Sequence, residues 1–108
     1  MNRTRIGKLE DIPRQGSRIV NTEHGEIAVF RTVGDQVFAL NNRCPHKGGP
    51  LAQGIVHGQR VTCPLHSWVI DLASGAAVAP DSGCAHRYDV LVEDGVLFLD
   101  PESRECKA

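Results

Sequence analysis

Four residues of the sequence offer metal-ligand chemistry in a paired arrangement. Cys44-Pro45-His46 presents a thiolate and an imidazole, and Cys63-Pro64-Leu65-His66 presents the same pair again, with the 16 residues 47–62 between them. A Cys and a His this close in sequence can face one centre only if the backbone curls around it. Pro45, Gly48, Gly49, Pro50 and Pro64 permit that curl. Two kinds of centre use two Cys and two His. One is a [2Fe-2S] cluster in which one iron takes both thiolates and the other both imidazoles. The other is a tetrahedral zinc site. Zinc modules usually pair Cys with Cys and His with His. Here each loop mixes the two ligand types, which suits a dinuclear centre that draws one ligand per metal from each loop. Taken singly, a Cys is more often a small buried hydrophobe than a ligand, and a loop His is more often solvated. The joint spacing carries the metal reading.

The elements that must hold these loops are short strands. Gly (11) and Pro (6) punctuate brief apolar runs, the pattern of an all-β chain. Strands are predicted over 4–10, 18–22, 26–32, 36–41, 60–63, 67–71, 86–92 and 96–100. The strand from Gln36 to Leu40 is apolar on both faces and is expected to be central. Val33-Gly34-Asp35, His57-Gly58-Gln59 and Glu93-Asp94-Gly95 read as tight turns. The nearest approach to a helix is 6–12, ended by Pro13. The stretches 42–54 and 72–83 are rich in Gly, Pro and small residues and too long for hairpin turns, and loops of that length are usually functional.

Composition narrows the function classes. A chain of 108 residues is one domain's worth. Lys and Arg total 12 against 13 Asp and Glu, and aromatics are 5%. That balance argues against nucleic acid or an anionic membrane as partner, since both reward a basic surface. No apolar run approaches the roughly 20 residues that cross a bilayer. Residues 1–11 have no secretory h-region, so the expected location is the cytoplasm, where Cys (4 in all) signals metal or redox chemistry more often than disulfides.

The paired loops resemble the Rieske family. Residues 42–84 are similar in particular to the small subunit of NAD(P)H-dependent assimilatory nitrite reductases. That similarity lies in Cys44-Pro45-His46-Lys47-Gly48-Gly49-Pro50-Leu51, Gly54-Ile55-Val56-His57-Gly58, the run Arg60-Val61-Thr62-Cys63-Pro64-Leu65-His66-Ser67-Trp68-Val69-Ile70-Asp71-Leu72, and Pro80-Asp81-Ser82-Gly83-Cys84. The resemblance implies a single all-β domain over 1–108, with three stacked antiparallel sheets and a small cluster-binding insertion at about 42–83. It implies that Cys44 and Cys63 bind one iron of a [2Fe-2S] cluster and His46 and His66 the other, for reversible one-electron transfer. It also implies a partner, the large subunit carrying FAD and siroheme that reduces nitrite to ammonium. This chain has no Gly-rich nucleotide fingerprint and no room for such sites, so by itself it is expected to be a carrier. The alternatives are a stand-alone Rieske ferredoxin feeding a ring-hydroxylating oxygenase and, from another class, a structural zinc module. Ferredoxins of that type typically carry Gly or Arg followed by Phe where Ser67-Trp68 stands here.

Membrane-complex relatives of the Rieske family join their two loops by an extra Cys in each. The matching positions here are Gly49 and Leu65, which excludes that bridge. Those relatives also hydrogen-bond the cluster with a loop Ser after a Gly, where this sequence has Ser67-Trp68, and fewer such bonds put the expected potential in the lower part of a range of about −150 to +300 mV. Among the remaining residues, Pro80 suits either a lid over the cluster or a rigid turn, and Trp68 is expected in the core. Cys84 reads as a buried thiol and Cys106 as an exposed one. His57 reads as a turn residue, and His24 and His86 as surface residues. Arg43, Lys47 and Arg60 read as solvated charges rather than a docking patch.

Overall fold

A computed structural model describes residues 4–22, 25–43, 50–64, 68–78 and 83–104, the last four of these by backbone alone. Nine strands are described: β1 (Thr4–Lys8), β2 (Gly16–Thr22), β3 (Gly25–Arg31), β4 (Val37–Asn41), β5 (Ile55–His57), β6 (Arg60–Thr62), β7 (Val69–Asp71), β8 (Arg87–Glu93) and β9 (Val96–Arg104). They form a six-stranded antiparallel sheet in the order β1-β9-β8-β4-β3-β2 and a three-stranded sheet in the order β5-β6-β7. The only helical turns among the described residues are short 3-10 segments at Leu9–Asp11 and Leu51–Gln53. Among the described residues no helix is long and apolar enough to cross a membrane.

Side-chain alternation in β3 divides the interior. Ile27, Ala28, Val29 and Phe30 are all fully buried. Ile27 and Val29 face a cluster with Ile12, Ala39, Tyr88, Leu97 and Leu99. Ala28 and Phe30 point the other way, into a cluster with Leu40, Leu51, Val56, Val61, Cys63, Ile70 and Leu72. A strand buried on both faces reads as a continuous apolar run, and this one does. The second cluster glues the small sheet to the large one. β4 lies between β3 and β8, as its two apolar faces predict.

The three stacked sheets expected from the resemblance appear as two. Strands β3 and β9 are separated in the sheet by β4 and β8, yet Ile27 and Val29 share a cluster with Leu97 and Leu99. The large sheet therefore curls over on itself and supplies two layers. Its outermost strands meet, where Arg18 Nη1 on β2 donates to the Ile6 carbonyl on β1 at 3.2 Å. Gly7 makes room for that contact. It sits at a register shift in β1 with φ +142°, and a Cβ there would lie 2.5 Å from Arg18 Nη1. A second tie comes from Arg31, whose Nη1 donates to the carbonyls of Leu9 (3.2 Å) and Ile12 (2.8 Å).

Candidate functional site

Three connections start and end where the small sheet packs on the large one, and each is closed at its base by a hydrogen bond. The first follows β4. The Ala52 amide donates to Asn42 Oδ1 at 2.8 Å and closes the chain around residues 43–51. The second joins β6 to β7. The Cys63 amide donates to the Trp68 carbonyl at 2.7 Å and closes residues 64–67. The third follows β7. The Ala77 amide donates to the Gly83 carbonyl at 2.9 Å and closes residues 78–82. All three rest on one apolar cluster, since Leu51, Cys63, Trp68, Ala77 and Ala85 pack together there.

Of the four predicted ligands, Cys63 is described. Cys44, His46 and His66 lie outside the described residues, as do Lys47, Gly49, Leu65, Ser67, Pro80, His24 and Cys106. Cys63 is 1% exposed and carries a thiol rather than a disulfide. Among the described residues no three His, Cys, Asp or Glu side chains gather in a way that could hold a metal ion. The described part of the site fits a cluster nonetheless. A buried sulfur at the mouth of a closed loop offers a soft ligand, and a thiolate in apolar surroundings needs a cation to balance it, which an iron supplies.

The approach of the small sheet to the first loop depends on one glycine. A Cβ on Gly54 would lie 2.8 Å from Val61 Cγ2 and would run into the Thr62 carbonyl oxygen, one residue before Cys63. The first loop's exit and the second loop's entry can therefore touch only with glycine at this position.

Sequence reasoning does not single out Asn42, and the structure gives it several tasks. It is 5% exposed. Its amide donates to the Glu26 carbonyl at 3.0 Å, and its Nδ2 donates to Glu26 Oε1 at 3.2 Å. Ser17 Oγ on β2 donates to the Ala52 carbonyl, so both main-chain groups of Ala52 are held by side chains. The signal in the sequence is an Asn directly after an apolar strand and two residues before the first candidate ligand.

Trp68 packs against the apolar cluster, as expected of a core residue. His86, Arg43 and Arg60 are exposed. His57 closes β5 rather than forming a turn, and its Nε2 lies 2.7 Å from Thr62 Oγ1 across the hairpin. Cys84 is not a buried thiol. It is half-buried and disulfide-bonded. It sits in an isolated bridge opposite Ala76, on the third loop's return.

Residues 2–89 match the Rieske [2Fe-2S] domain family. The chain belongs to that family. Its cofactor is accordingly a [2Fe-2S] cluster, and the zinc alternative is set aside. Among curated relatives, this Rieske chain is 40% identical over 75 residues to the anthranilate 1,2-dioxygenase ferredoxin subunit of Burkholderia cepacia, covering 68% of each chain. Among solved structures it resembles the ferredoxin of carbazole 1,9a-dioxygenase from Nocardioides aromaticivorans IC177. The TM-score is 0.84 at 27% identity, over 94% of this chain and 100% of that one. It also resembles a structure from Mycobacterium tuberculosis described as an NADH-dependent nitrite reductase small subunit. There the TM-score is 0.82 at 20% identity, over 98% of this chain and 97% of that one, a likeness of fold. The Rieske domain is thus an electron-transfer module of the oxidoreductase class.

Proposed function

We propose that the chain is a one-electron carrier that hands electrons to an oxygenase, with Cys44 and Cys63 holding one iron of the cluster and His46 and His66 the other. The observation that carries this reading is the 40% identity, over 68% of each chain, to a dioxygenase ferredoxin subunit. When bound, the cluster supplies reversible one-electron transfer at a potential that imidazole ligation raises above that of plant-type ferredoxins. The chain's own residues do the rest. The hydrogen-bonded loop bases fix where the ligands start and end, and the apolar cluster keeps water from the sulfur of Cys63. The reading places the carrier in the cytoplasm, fed from NAD(P)H by a flavin reductase.

A second reading is the small subunit of an NAD(P)H-dependent nitrite reductase, in complex with a large subunit bearing siroheme and FAD. The runs Lys47-Gly48-Gly49-Pro50-Leu51 and Trp68-Val69-Ile70-Asp71-Leu72 favour it, as does Ser67-Trp68 where oxygenase ferredoxins typically differ. In that reading too the chain carries electrons and does not itself reduce nitrite.

Mixing separates the two. The holoprotein is reduced through a ferredoxin reductase and mixed anaerobically with an oxidised aromatic-ring oxygenase or with a siroheme-bearing large subunit and nitrite. The expected result is rapid return of the oxidised visible spectrum with the oxygenase alone. Return with only the siroheme protein would overturn the oxygenase reading in favour of the second.

A further inference from the structure

Ala52 is held from two directions by side chains that belong to different parts of the large sheet. Asn42, at the end of β4, accepts from its amide at 2.8 Å, and Ser17, on β2, donates to its carbonyl. Asn42 is itself fixed by Glu26 on β3, through both the main-chain carbonyl (3.0 Å) and Oε1 (3.2 Å). Next to Ala52, Leu51 is fully buried. Between these anchors runs the loop that contains Cys44 and His46.

We propose that Asn42 and Ser17 form a latch on Ala52 that sets the span of the first ligand loop and thereby the retention and electronic surroundings of the [2Fe-2S] cluster. They act as positioning residues. The inference rests on the assignment of Cys44 and His46 as ligands. The physical argument is that a loop fixed at both ends has few conformations to lose when its side chains take up a metal. Groups that orient ligands without touching the metal change its hold on the site by about 10- to 100-fold. The latch draws its strength from the rigid sheet. Asn42 follows β4 directly and is held by two contacts from Glu26 on β3, and Ser17 lies on β2, so both side chains that grip Ala52 are anchored in the sheet.

The test uses holoprotein of the wild type and of Asn42→Ala, Ser17→Ala, Ser17→Thr and the double variant Asn42→Ala/Ser17→Ala. Cluster release to excess iron chelator is followed by visible absorbance. The reduced cluster's electron paramagnetic resonance spectrum and midpoint potential are recorded alongside thermal unfolding. Asn42→Ala and Ser17→Ala are expected to release the cluster roughly tenfold faster, with altered resonance spectra. The double variant is expected to show less than the summed effect, because both residues act through Ala52. Ser17→Thr, which keeps the hydroxyl, is expected to restore wild-type behaviour. Lowered unfolding temperatures with unchanged release, spectrum and potential would overturn the latch. If Asn42→Ala does not fold, Ser17→Ala decides alone. A Cys44→Ser variant that keeps a normal cluster would overturn the ligand assignment instead.

Discussion

The main-chain amide of Cys63 donates to the carbonyl of Trp68 at 2.7 Å, which carries the pairing of β6 with β7 one step beyond Thr62–Val69. β6 and β7 pair through Arg60–Asp71, Val61–Ile70 and Thr62–Val69, and the loop opens directly from that ladder. The sulfur of Cys63 therefore starts from the most regular part of the small sheet.

Cys63→Ser is expected to abolish the cluster, because a hydroxyl is a poor ligand for an iron that takes thiolates. Bound iron and acid-labile sulfide should fall by at least roughly tenfold. Iron and sulfide analysis of anaerobically purified protein checks this. Far-UV circular dichroism should still show the strands, since serine is close to cysteine in size and Cys63 lies outside the paired strands.

Gly54→Ala is expected to destabilise the fold by about 1–3 kcal/mol, the usual cost of forcing an extra carbon into packed surroundings. The new Cβ meets Val61 Cγ2 at 2.8 Å and the Thr62 carbonyl oxygen, and the second of these is backbone that cannot swing aside. Urea unfolding monitored by Trp68 fluorescence would measure it.

Asp35 stabilises the β3–β4 turn in a pH-dependent way. Arg31 (2.8 and 2.9 Å) and Arg14 (3.2 Å) hold its carboxyl below the ordinary value of 3.8. A folded-state value below the unfolded one means that this contribution is complete above about pH 4–5 and is lost as pH falls through the lowered value. Asp35→Asn should therefore be less stable than wild type at pH 7, and the gap should close below pH 3.8. Asn tolerates the left-handed backbone at φ +63°, so the comparison reads the charge. Unfolding midpoints across pH give the answer.

Removing iron and sulfide is expected to loosen the small sheet and spare the large one. β5, β6 and β7 are three residues each and lean on one face of the larger sheet. The amides of Ala52, Cys63 and Ala77, which close the loop bases, should lose protection from hydrogen exchange in the apoprotein, while those of Ile27, Val29 and Leu97 stay protected. Uniform loss across both sets would contradict this division.

Much of the architecture is legible in the sequence because alternation and turn chemistry agree there. Val33-Gly34-Asp35 and Glu93-Asp94-Gly95 mark real hairpin turns, and the run Ile27-Ala28-Val29-Phe30 announces a strand buried on both faces. β5 escapes because it is three residues long and buries Val56 alone, leaving Ile55 71% exposed. β9 runs on past Asp100 although Pro101 lacks an amide. Its pairing with β8 shifts register between Tyr88 and Val90, and a proline is tolerated at such an irregularity. The proposed ligand spacing is read from residue types alone. The residues that tether the first loop are not, because Asn42 and Ser17 are 25 positions apart and meet only through Ala52 once β2, β3 and β4 have paired.

The contact between Arg18 and Ile6 has a colloidal consequence. Arg18 covers the Ile6 carbonyl on the edge strand β1, so a strand from another molecule could pair at that point only by displacing the guanidinium.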